Sequence, residues 1–147
     1  MGVTNFDEYR DVFVVADTID DVVHPVTYEL IGQARRIAKE LGQLVQVMLL
    51  GENVQSEAEE LVAHGADIVH VFESPLLKYY TTDGYTKVLT DFFEDHKPNI
   101  LLIGATNNGR DLAPRMSGRM KNGVVADCTI LTVDTEEGLV EWTRPAL

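Results

Sequence analysis

The segment Gly104-Ala-Thr-Asn-Asn-Gly-Arg110-Asp111 holds the residues best suited to chemistry. Its glycines allow a sharp turn or a close backbone approach to a partner. Thr106, Asn107, Asn108 and Arg110 supply hydrogen-bond donors, and the start of a helix here would direct free N–H groups at an anion. Asp111 is predicted to be the N-cap of that helix. Pro114 then falls in the first turn, where its missing N–H does no harm. This pattern suits a nucleotide or phosphate. It equally serves any strand-to-helix connection that must turn and cap, and the glycines match neither Gly-x-Gly-x-x-Gly nor a Walker loop.

Other candidates are weaker. Arg110, Arg115, Arg119 and Lys121 form a basic patch in an otherwise acidic chain. Arg115 and Arg119, four apart, share a helix face. The patch reads either as a docking edge for an acidic partner or as a solvated face whose Arg stems cover apolar surface. His24, His64, His70 and His96 are scattered without metal-ligand spacing, so surface or helix-end roles are expected and no metal site is. Cys128 reads as a buried small hydrophobe. Ser56, Ser74 and Ser117 lie in no nucleophile motif, and Glu57, Glu59 and Glu60 read as a solvated helix face. Tyr85 fits helix packing, while Tyr79 and Tyr80 read as an exposed contact. No catalytic constellation emerges.

These residues must be positioned by alternating strands and helices. Asp11–Asp17, Leu44–Leu50, Asp67–Phe72 and Ile100–Ile103 are short apolar runs of the kind that is buried on both faces. Ile100–Ile103, the most apolar, is expected near the sheet centre. Between the runs, Leu30, Ile31, Ala34, Ile37, Ala38 and Leu41 form a helical stripe closed by Gly42. Ser56–His64 and the stripe Tyr85, Val88, Leu89, Phe92 and Phe93 make two more helices. Glu73–Asp83 is expected as a crossing loop, and Val124–Val133 and Leu139–Trp142 as later strands. Four strand–helix units in a row predict a Rossmann-like three-layer α/β/α sandwich with a mostly parallel sheet. Ligands of such sheets bind beyond the strands' carboxyl ends, where strand order reverses. For an order beginning 3-2-1-4, that crevice joins Ala16-Asp17-Thr18 to the segment from Gly104 to Asp111. The candidate cofactor-binding set is therefore Asp17, Gly104, Ala105, Thr106, Asn107, Gly109 and Arg110.

Composition bounds the function. With 147 residues, 45% of them hydrophobic, the chain suits one globular domain. A formal net charge of −12 disfavours nucleic acid and anionic membrane surfaces as partners. The longest apolar run, Ile100 to Ala105, has six residues, far short of a membrane span. Met1 to Asp11 carries acids and no hydrophobic stretch, so a soluble, cytoplasmic protein is expected. A single cysteine leaves no internal disulfide.

The run Gly104-Ala-Thr-Asn-Asn-Gly-Arg-Asp-Leu-Ala-Pro-Arg115 resembles the hallmark of the electron transfer flavoprotein α subunit, N-terminal domain. Ala126-Asp127-Cys128-Thr129 and Thr143-Arg144-Pro145-Ala146 agree in order and spacing, and the resemblance runs from Asp11 to the end. It implies an adenine nucleotide alpha-hydrolase-like fold and a role in an αβ heterodimer that carries electrons from flavin dehydrogenases to redox partners. It further implies docking to the β subunit, with Arg110, Asp111, Arg115, Arg119 and Asp127 at or near that face or the flavin cleft. In bifurcating relatives one FAD sits in the α subunit's C-terminal domain and one in the β subunit. The family continues past this point with Phe-Gly-Gly-Asn, where Leu147 stands for the Phe. Residues 1–147 are thus expected to be a shortened N-terminal domain without the FAD-binding C-terminal one. Such a chain is expected to bind no FAD tightly alone and to self-associate through an unpaired sheet edge.

Two other functions compete. One is a free-standing AMP- or ATP-binding module built on Asp17 and the loop from Gly104 to Arg110. The other is a nucleotidyl-transfer or amidohydrolase enzyme of the same fold group, which the lack of a phosphate-loop signature argues against.

Overall fold

A computed structural model describes residues 10–120, 130–134 and 139–143. Strands β1 (Val12–Val15), β4 (Val45–Gly51), β5 (Ile68–Glu73) and β6 (Ile100–Ile103) form one parallel sheet in the order β5-β4-β1-β6. Between β1 and β4 lie a small hairpin, β2 (Thr18–Ile19) with β3 (Val22–Val23), and helix α1 (Pro25–Leu41). Helices α2 (Gln55–Ala63), α3 (Thr82–Asp95) and α4 (Asn107–Met120) follow β4, β5 and β6 in turn. A second hairpin pairs β7 (Ile130–Asp134) with β8 (Leu139–Thr143). In chain order the parallel strands run 3-2-1-4, the order for which the sequence locates a crevice between β1 and β6, and the sheet is covered on both faces.

Two clusters hold these layers together, and strand alternation assigns residues to each. Val12, Val14, Val45, Val47, Leu49, Ile100 and Leu102 face Ile31, Ala34 and Ile37 of α1 and Leu61 of α2. Phe13, Val15, Met48 and Leu50 face Tyr85, Leu89 and Phe93 of α3 and Leu112 and Met116 of α4. Phe13 meets Phe93 edge-on at 5.3 Å between ring centroids, a favoured aromatic geometry.

Ile100–Ile103 is not central among the described strands. It flanks the four-stranded sheet, and β1 and β4 lie inside. Apolarity along a strand records cover by helices on both faces, which an outer strand also has. The hairpin after β1 also escapes the sequence reading, because two-residue strands show no period. Asp20 and Asp21 form its loop with φ of 52° and 63°, the left-handed pair that a two-residue connection needs to match strand twist.

The histidines take mainly helix-end roles. His24 caps α1, its Nδ1 accepting from the Val26 N–H at 3.0 Å. His64 and His96 are the C-caps of α2 and α3, each with Nδ1 near the carbonyl four residues back. His70 lies on β5, within 2.7 Å of Gln46 Oε1. Glu57 departs from the solvated face predicted for it, since its carboxylate accepts from the Val23 N–H at 3.1 Å. Among the described residues no helix is long and apolar enough to cross a membrane.

Candidate functional site

The carboxyl ends of β1 and β6 lie side by side, and the sequence-predicted residues meet there. Asp17 is fixed through its backbone: its N–H donates to Thr27 Oγ1 at 3.0 Å, and its carbonyl accepts from the His24 N–H at 2.7 Å. Its carboxylate accepts a hydrogen bond from the Thr106 hydroxyl. That same hydroxyl accepts from the Gly109 N–H at 3.1 Å, so Thr106 caps α4.

The cap moves the helix. The segment Asn107–Arg110, read from its turn-forming residues as a loop, is the first turn of α4. Asp111 is therefore not the N-cap, and Pro114 lies inside the helix rather than in its first turn. There it removes the N–H that would bond to the Arg110 carbonyl. Gly109 is required by packing. A Cβ on it would stand 1.8 Å from the Gly104 carbonyl oxygen, so the helix reaches the strand end only over a bare Cα.

Asp17, Gly104 and Gly109 line a recess with Thr18, Asn108, Tyr80 and Tyr85. Thr106 sits behind Asp17, while Ala105, Asn107 and Arg110 are not among its walls. Tyr80 and Tyr85 come from the connection after β5 and from α3, and residue spacing did not place them here. Tyr80, expected as an exposed contact, is partly buried; Tyr79 is exposed. The Tyr85 hydroxyl donates to the Leu77 carbonyl at 3.2 Å. Tyr80 donates to Asp111 Oδ2 at 2.7 Å, and the Thr82 hydroxyl donates to the same oxygen. Burial, helped by the Asp111 hydrogen bond, pushes the Tyr80 phenol up to about 12. The hydroxyls of Thr82 and Tyr80 hold the Asp111 carboxyl below its ordinary value.

Two stretches of the predicted crossing loop are also ordered by capping. Ser74 caps a single 3-10 turn at Pro75–Leu77, and Thr81 caps α3 through the Gly84 N–H. Of the predicted docking set, Arg115 pairs with Asp83 at 2.7 Å on the exposed surface, and Arg110 and Arg119 are exposed on α4. Asp127, Lys121 and Cys128 lie outside the described residues.

The recess spans about 310 Å³ with the part open to solvent included. Among the described residues none of its walls is a cation, and Asp17 brings a carboxylate. At the helix start the Thr106 side chain takes up the Gly109 amide. A phosphate placed here would meet the negative charge of Asp17.

The electron transfer flavoprotein domain family matches residues 12–147. The chain belongs to that family. Its likeness is to the N-terminal domain of the alpha subunit. It is 46% identical over 140 residues to the electron transfer flavoprotein subunit alpha of Megasphaera elsdenii, covering 95% of this chain and 41% of the relative. It is also 46% identical to the lactate dehydrogenase (NAD(+),ferredoxin) subunit LctC of Acetobacterium woodii, covering 94% of this chain and 33% of that one. The acryloyl-CoA reductase electron transfer subunit beta of Anaerotignum propionicum is 43% identical, with 88% of this chain and 35% of its own length covered. The chain thus spans about two fifths or less of these curated relatives.

The family's flavin can be tested against this site. A flavin adenine dinucleotide carries two phosphates, and among the described residues the recess offers them a carboxylate and no cation. The dinucleotide does not fit these residues.

Proposed function

We propose that this chain is the docking portion of an alpha-type electron transfer flavoprotein subunit. It pairs with a beta-type subunit, and the complete complex carries electrons from flavin dehydrogenases to further redox partners. FAD belongs to that complete flavoprotein; this segment binds none tightly alone and contributes no catalytic group. Arg110, Asp111, Arg115, Arg119 and Asp127 are the first docking candidates, and the cytoplasm is the proposed location.

The observation that carries this reading is the family match across residues 12–147, beside a crevice whose described lining offers a dinucleotide's phosphates a carboxylate and no cation. Co-expression with a beta-type subunit of the same genome tests it. A co-purifying complex is the expected result. Failure to associate even when the chain is extended to the relatives' full length would overturn it. Calorimetry with AMP, ATP and FAD tests the competing nucleotide-binding function. Silence with all three supports docking, and saturable heat from the isolated chain favours the module built on Asp17.

A further inference from the structure

We infer that the docking surface is the rim at the carboxyl ends of the parallel strands, and that it receives a protein partner with apolar pockets ringed by Lys and Arg. This rests on the docking reading above and replaces its α4 surface as the main contact.

Four large apolar side chains stand in solvent on this rim: Ile19, Val22, Leu76 and Tyr79, the most exposed being Leu76 at 85%. Scattered exposed hydrophobics are ordinary. These four differ in being held outward by rigid local structure. Ile19 and Val22 are directly opposite one another across the β2–β3 hairpin, so their side chains share one face. Two non-glycine residues in left-handed conformation, Asp20 and Asp21, make the loop that presents them. The Asp21 carboxylate ties the hairpin to the turn after β4, accepting from the Glu52 and Asn53 N–H groups at 3.0 and 3.1 Å.

The second pair is anchored too. Leu77 is buried and Ser74 caps the turn, which leaves its neighbour Leu76 projecting. Lys78 bridges to Glu52 at 3.7 Å and lies 5.7 Å from the centre of the Tyr79 ring. Hairpin, turn and loop are therefore pinned to one another along the same end of the sheet. A preorganised apolar group loses little entropy on association, and aromatic anchors carry much of interface affinity.

Charge selects the occupant. The ends and loops of β1, β4 and β5 carry Asp17, Asp20, Asp21, Glu52 and Glu73 against the cation Lys78, and Arg110 stands apart from them at the β6 end of the rim. A second copy of this chain, at net charge −12, would be repelled. A surface of opposite sign would be steered in.

The test uses the chain with its beta-type subunit, at full length where the gene extends further, and measures affinity for rim and control variants. The rim variants are Ile19→Ser with Val22→Thr, Leu76→Ser, and Asp20→Lys; the control is Val62→Ser, exposed on α2. Each rim variant should weaken association at least tenfold with an unchanged circular dichroism spectrum, and added salt should weaken the parent complex. Ile19→Ser with Val22→Thr and Leu76→Ser should also keep the melting point, while Asp20→Lys, at a φ of 52°, should lower it slightly. Wild-type binding that survives every rim variant overturns this surface and leaves the docking reading standing. Absence of wild-type binding at full length overturns both. A parent chain that dimerises alone, and a rim variant that abolishes this while keeping partner affinity, would make the occupant a second copy. Amide-exchange protection of residues 19–22 and 75–80 by the longer chain without partner would make it that chain's own remainder.

Discussion

The Thr106 hydroxyl links α4 to the end of β1: it donates to the Asp17 carboxylate, 89 residues earlier in the chain, while accepting the Gly109 amide proton. One oxygen thereby sets where the helix begins and which strand end it faces. The same oxygen takes up one of the amides that an anion at the helix start would use.

Removing that oxygen should be costly. Thr106→Val loses an N-cap and leaves the Asp17 carboxylate without its donor, so stability should fall by about 1–2 kcal/mol. Thr106→Ser keeps both bonds and should stay near the parent. Urea denaturation midpoints decide between these outcomes, and equal losses in the two variants would refute the dual role.

Two glycines of α4 should respond in opposite directions. Gly109→Ala places a methyl 1.8 Å from the Gly104 carbonyl oxygen, and the forced separation of strand and helix should cost about 1–3 kcal/mol. Gly118 has open space around it, and Gly118→Ala should stabilise by about 0.5–1 kcal/mol through helix propensity. Thermal melts of both variants check the contrast.

His70 makes the fold acid-sensitive. Burial first, and the nearby His96 second, hold its pKa below 6.5. The unfolded chain takes up this proton before the folded one does, so the stability contribution is complete above pH 6.5. It is lost as pH falls from there toward the folded-state value. His70→Gln should flatten the decline between about pH 7 and pH 5. An unchanged slope in denaturant titrations across that window would assign the sensitivity elsewhere.

Tyr80 and Asp111 act at the two extremes of pH. Tyr80, raised to about 12, contributes stability that is present below its ordinary value of 10 and lost as pH climbs through 12. Asp111, lowered, contributes stability that is present above 3.8 and lost on acidification through its folded value. In Asp111→Asn the Tyr80 titration should move down yet remain above 10, since burial is its larger cause. Tyrosinate absorbance, compared with a Tyr80→Phe control, reads this shift.

Much of the scaffold was legible in the residues. Leu30 to Leu41 carried a helical period, and the four apolar runs carried the strands, because both patterns are imposed by burial within a few neighbouring residues. The convergence of Asp17 with the Gly104–Gly109 segment follows once the strand order is 3-2-1-4, an order that right-handed crossovers alone do not select. The start of α4 was not legible. Asn107-Asn108-Gly109 favours turns locally, and only the Thr106 cap and the contact of Gly109 with Gly104 overrule that preference.

By itself the sequence determined the layers, their connection and the family, since periodicity and motif spacing are properties of the chain. Tertiary structure alone decided that Tyr80 and Tyr85 wall the crevice and that Asp111 serves them instead of a helix start. It also decided that Ile19 and Leu76 project from one rim. Such juxtapositions join residues dozens of positions apart, where no local pattern records them and only packing fixes the distance.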